Sequence, residues 1–149
     1  MRADLEELLD SLILLHQWKL ALLEGFARSL VDKRYYLKTG DIDRLAEAVA
    51  DDNALFELID TIDYEIGSAR DRMIALTGTE SGGIEELLNT SAGPKAAGLF
   101  KIRTAVGVVL RNASIEHDEL IRGMEKVSLK IMSDADALSG HLRLDFFDR

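Results

Sequence analysis

The chain has no cysteine and one proline, Pro94, in 149 residues. Without thiols, disulfides, zinc–thiolate sites and iron–sulfur clusters are excluded. One proline leaves the backbone almost free of helix breakers, and together with abundant Leu, Ala, Asp and Glu it points to an all-α protein. Basic residues are also scarce relative to acidic ones, 18 against 27, for a net charge of −9. That balance opposes general binding of nucleic acid, which needs basic surface to displace counterions, and adhesion to anionic membranes. No apolar run approaches the roughly 20 residues of a membrane span. Acidic Asp4, Glu6, Glu7 and Asp10 precede the short Leu12-Ile13-Leu14-Leu15 run, so the N-terminus does not read as a signal peptide, and a cytoplasmic protein is expected.

The chain is 47% hydrophobic, enough for a folded core, and its length suits one domain, residues 1–149. Residues 3–37 read as a first helix: Leu5, Leu8, Leu12, Leu15, Leu22 and Phe26 recur at three- and four-residue spacing, with Lys19 in the remaining slot. Leu9, Leu23 and Leu30 widen this stripe, and Gly25 is a weak point inside it. Residues 42–76 read as a second helix through Ile42, Leu45, Val49, Phe56 and Ile59, then Ile62, Ile66, Ala69, Met73 and Leu76. Asp52 falls on the buried register, where a looser seam is expected. Between the two helices Gly40 suits a left-handed helix end and Asp41 an N-cap, so residues 3–76 are expected to form a long antiparallel hairpin.

Residues 77–94 are a linker, with Thr77-Gly78 ending the second helix, one or two helical turns from Ile84 to Leu88, and Pro94 suited to the first turn of the next helix. Residues 95–139 read as a third long helix, with a bend or break plausible at Gly98, Gly107, Gly123 or Asn112-Ala113-Ser114. In the tail, 140–149, Leu142, Leu144 and Phe146 alternate with Arg143 and Asp145, an extended or strand-like pattern that either docks or lies free. The expected architecture is thus a helical hairpin plus a third long helix, an elongated bundle or coiled-coil-like assembly.

Charge is uneven. Residues 41–76 carry ten acidic and three basic side chains, a net of −7, whereas 95–111 carry Lys95, Lys101, Arg103 and Arg111 and no acid. Either the basic stretch lies beside acidic helix two or it faces a partner.

Catalytic chemistry has little to rest on. None of His16, His117 and His141 has a glutamate three residues earlier, so the Glu-x-x-His element of di-iron bundles is missing. There is no zincin motif, nucleophile elbow, phosphate loop or dinucleotide fingerprint. Glu116-His117-Asp118-Glu119 is dense in potential ligands, but consecutive helical residues point about 100° apart and cannot converge on one ion. Neither a catalytic site, a cofactor nor a metal is expected.

Tyr36-Leu37, Thr39-Gly40-Asp41, then Leu45, Leu55, Leu58, Ile59, Ile62 and Glu65, ending in Arg70-Asp71-Arg72, resemble the FlgN-type flagellar export chaperones. Leu110-Arg111-Asn112, with Leu120 and Met124 beyond, is similar to that family's third segment, while Asp52-Asn53 and the apolar tail depart from its pattern. The resemblance implies a non-catalytic cytoplasmic protein that binds the helical ends of hook–filament junction proteins and delivers them to the flagellar export apparatus. An amphipathic client helix would lie along an apolar groove. If the hairpin buries its own stripes, the longer third helix has apolar surface to spare. Leu99, Ile102, Val106, Val109, Leu120, Met124, Val127 and Ile131, with Leu142, Leu144 and Phe146 of the tail, are then the candidate partner-binding residues. The other reading open to such stripes is a self-associating structural or regulatory helical protein, a homodimer.

Overall fold

The structure, a computed structural model, describes residues 2–78 and 93–147, with side chains to residue 130. The predicted turns of helix between Ile84 and Leu88 lie outside the described residues. The described residues form three helices: α1 (Arg2–Thr39), α2 (Ile42–Thr77) and α3 (Gly93–Phe147). The all-α expectation holds, and no strand occurs among the described residues.

Local chemistry sets the corner between α1 and α2. Gly40 sits at φ 75°, in the left-handed region that a side chain disfavours. This lets Asp41 N–H donate to the Tyr36 carbonyl (2.9 Å) and Gly40 N–H to that of Leu37 (3.3 Å), the paired bonds of a Schellman motif. Asp41 then caps α2, its Oδ1 accepting from Arg44 N–H at 3.3 Å. At the other end of α2, Gly78 at φ 68° donates its N–H to the Ile74 carbonyl at 2.8 Å and closes the helix.

The arrangement differs from a self-sufficient hairpin with an added helix. α1 lies between the other two: it packs against both, and no Cα atoms of α2 and α3 come within 8 Å of each other among the described residues. α2 runs antiparallel to α1, as the turn demands. α3 runs parallel to α1: Lys95 pairs with Asp10 (2.8 Å), Gly98 lies beside Ile13, and Arg34 pairs with Glu119 (2.8 Å). A constant offset of 85 residues between ion-pair partners puts the end of α1, at Thr39, level with Met124. From there to Phe147 α3 continues past the hairpin tip for about 35 Å at 1.5 Å per residue.

The core follows from this order. At one end Leu8, Leu9, Leu12 and Leu15 of α1 meet Ile62, Ile66, Ala69 and Met73 of α2 and Ala96 and Leu99 of α3. In the middle Leu23, Ile59 and Val106 pack together. Towards the tip Phe26 and Leu30 meet Ala113 and Leu120 of α3, with Phe56 of α2 edge-on to Phe26 at 4.9 Å between ring centroids. A central helix facing two neighbours needs an apolar surface wider than a two-stranded seam, which accounts for Leu9, Leu23 and Leu30 beside the main stripe.

Two expectations are corrected here. The tail to residue 147 is helical, not extended. Leu142 and Phe146 stand four residues apart, a helical spacing as well as an alternating one, and no proline follows Gly140 to turn that weak point into a stop. No break interrupts α3 at Gly98, Gly107, Gly123 or Asn112-Ala113-Ser114. A glycine costs a helix only about 1 kcal/mol, which packing along α1 readily offsets.

Candidate functional site

The predicted partner-binding stripe on α3 is largely used up by the fold. Leu99 is 1% exposed, and Val106 and Leu120 are also buried. Ile102, Val109 and Met124 are half-buried and packed against the same clusters, and Val127 is half-buried. Leu99, Val106 and Leu120 therefore offer no free face, and Ile102, Val109 and Met124 offer only part of one. The physical reason is that α1 covers α3 as well as α2, so the stripe that was to be spare is core. The side chains of Ile131, Leu142, Leu144 and Phe146 lie outside the described residues. Their backbone belongs to the part of α3 that extends beyond the hairpin tip.

Other apolar surface is exposed instead. Between α1 and α2, on the solvent side, Trp18, Ala21 and Leu22 face Leu58 and Ile62 across an open groove of about 390 Å³. Trp18 is 54% and Leu58 56% exposed. On the outward face of α3, Val108, Ile115 and Leu129 are exposed at heptad multiples, with Arg122 in the remaining place. Tyr64 and Tyr35 add isolated exposed rings, Tyr35 stacking edge-on with Tyr36 at 6.1 Å near the hairpin tip.

The polar interior holds two features that the sequence disclosed only in part. Asp52, expected to loosen the seam, is 5% exposed and forms an ion pair with Lys33, itself 2% exposed. Ser29 Oγ donates to Asp52 Oδ2 at 3.4 Å, and the Lys33 ammonium stands 4.8 Å from the centroid of the Phe26 ring. The seam is thus closed by a buried, charged clasp between α1 and α2. A signal for Lys33 was present: it continues the buried Phe26–Leu30 line of α1 towards Leu37.

His16 is the second. It is 6% exposed, and its Nδ1 lies 2.7 Å from the Leu12 carbonyl, to which it donates. Burial, opposed by that backbone bond, holds its pKa below the ordinary 6.5, with lesser depressions from the positive charges of Lys19, Arg103 and Arg70. The sequence marked basic residues 95–111 as lying either beside α2 or facing a partner. Lys95 pairs instead with Asp10 of α1, an exposed hydrogen bond that raises the lysine's pKa. Arg103 lines a cleft between α2 and α3 together with Arg70, His16 and Asp63.

No group of three or more His, Cys, Asp or Glu side chains able to hold a metal occurs among the described residues. The Glu116–Glu119 run diverges as helical geometry requires: Glu119 reaches Arg34, while the His117 ring turns inward against Phe26 at 5.7 Å, its buried Nδ1 without a hydrogen-bond partner. No described helix is long and apolar enough to cross a membrane. Comparison with protein-family models, curated proteins and solved structures finds no match. What the described residues define is a class: an all-α protein with a long helix that outruns the hairpin it packs on.

Proposed function

We propose that this chain is a non-catalytic helical binding protein of the flagellar export-chaperone kind, which holds amphipathic helical ends of hook–filament junction proteins in the cytoplasm and hands them to the export apparatus. The observation that supports this reading best is the extension of α3 about 35 Å past the hairpin tip, a helical segment that neither α1 nor α2 accompanies. Its sequence contains Leu142, Leu144 and Phe146, apolar residues of the kind against which a second amphipathic helix packs. The client surface in this reading is the C-terminal part of α3, from about Ile131 onward, and not the buried residues from Leu99 to Leu120.

The test is calorimetric titration of the purified protein with the C-terminal helical fragment of a hook–filament junction protein. Micromolar binding is expected from the full chain, together with at least a tenfold loss when the chain is cut after Lys130 and the thermal midpoint is unchanged. No measurable binding by the full chain would sink the proposal. A self-associating helical protein is the alternative, favoured by the exposed Val108–Ile115–Leu129 line on the outward face of α3. Light scattering decides it: a tight dimer that Ile115→Lys dissolves would replace the chaperone reading.

A further inference from the structure

The cleft between α2 and α3 departs from the charge logic of the rest of the molecule. The chain has 27 acidic residues and a net charge of −9, and α2 is its most acidic stretch. Yet Arg70 of α2 and Arg103 of α3 line one open cleft of about 370 Å³. Neither makes an ion pair or side-chain hydrogen bond among the described residues. Of the two other charged groups there, Lys19 and Asp63 neutralise each other at 2.6 Å. The cleft therefore carries an excess of about two positive charges, in guanidinium groups shaped to grip a planar oxyanion in two-pronged fashion.

Its floor is the His16 ring. Because Nδ1 donates to the Leu12 carbonyl, Nε2 of the neutral ring carries a lone pair without a hydrogen-bond partner among the described residues, and it becomes a donor to an anion only when the ring takes up a second proton. Lys19, Arg70 and Arg103 line the same cleft as this ring. The walls leave room. Gly67 of α2 and Gly107 of α3 both line the cleft, and a Cβ built on either meets nothing within 4 Å. The apolar patches beside them are Ile66 and Val106.

We propose that this cleft binds the carboxylate of an acidic side chain presented by a partner polypeptide, held between Arg70 and Arg103 over the His16 ring. A single carboxylate suits the site better than a phosphate dianion, because the surrounding field of a −9 protein penalises the second charge. The bare glycine walls admit a peptide backbone beside that side chain. This site is separate from the α3 extension and stands whether or not the chaperone reading does.

The experiment is an NMR titration of the full chain, following the His16 ring resonance at constant ionic strength. The probes are a capped tripeptide with a central glutamate, its glutamine counterpart, and inorganic phosphate. A saturable shift with the glutamate peptide is expected, with at least tenfold weaker binding of the glutamine peptide. In the bound state His16 takes up its proton at a higher pH, since a carboxylate would then offset Lys19, Arg70 and Arg103 while Asp63 is unchanged. Arg103→Gln should weaken binding at least tenfold. Gly107→Leu, which keeps every charge but fills the cleft, should do the same and serves if the arginine variant folds poorly. Absence of a saturable shift, equal binding of the two peptides, or tighter binding of phosphate than of the glutamate peptide would each overturn the assignment.

Discussion

Replacing Lys33 by methionine is expected to destabilise the fold far more than a typical substitution. Lys33 is 2% and Asp52 5% exposed, so each is held out of water and depends on the other for compensation. Once Lys33 is gone, Asp52 keeps, among the described residues, only Ser29 Oγ at 3.4 Å, a long hydrogen bond that cannot replace an ammonium. Removing one member of a buried pair costs about 3–5 kcal/mol, and loss of the Lys33–Phe26 contact adds to it. Against a domain stability of about 5–15 kcal/mol that is a large fraction. With a urea m value of about 2 kcal/mol per molar, the midpoint should fall by about 2 M, read by far-UV circular dichroism. The double variant Lys33→Met with Asp52→Leu removes both charges at similar volume. It should recover wild-type stability or exceed it by about 1–4 kcal/mol. A single-variant shift below about 0.5 M would show that the pair is not buried in solution. A double variant as weak as the single would show that packing, not charge, accounts for the loss.

Three further outcomes are expected. Gly107→Ala should stabilise the protein by about 1 kcal/mol, because the site is helical and an added Cβ has open space; a loss of stability in a thermal melt would contradict this. Gly40→Ala should cost about 1–2 kcal/mol, since φ 75° is strained for a side chain although nothing lies within 4 Å, so the loss measures backbone conformation alone in a urea titration. His16 has its folded pKa below 6.5, so the unfolded chain binds the extra proton and stability rises with pH through that window. This contribution is complete above pH 6.5 and is lost as pH falls through the depressed folded value. His16→Gln should therefore flatten the pH dependence of the urea midpoint between neutral and mildly acidic pH, and an unchanged slope would refute the assignment.

The spans of α1 and α2, the Gly40–Asp41 corner and the Gly78 stop were legible in the chain because each depends on neighbours a few residues apart. Periodicity, a left-handed glycine and an N-cap act locally, and tertiary packing had no reason to override them here. The tail was misread because Leu142, Leu144 and Phe146 satisfy a two-residue period while the first and last also satisfy a helical one, and Gly140 before them reads as a stop although α3 runs through it.

The site was legible to a lesser degree. Asp52 could be placed on the buried face, but its partner Lys33 lies nineteen positions away on another helix, and their meeting depends on the hairpin register. The convergence of Arg70, Arg103 and His16 draws on all three helices, so no window of sequence contains it. Composition and local patterning determined that the protein is helical, acidic and hinged at Gly40. Which stripe is buried, and which charges meet, was decided only when α1 took the centre with α2 antiparallel and α3 parallel to it. A stripe records that a helix has an apolar side, but the number and direction of its neighbours settle how much of that side remains in water.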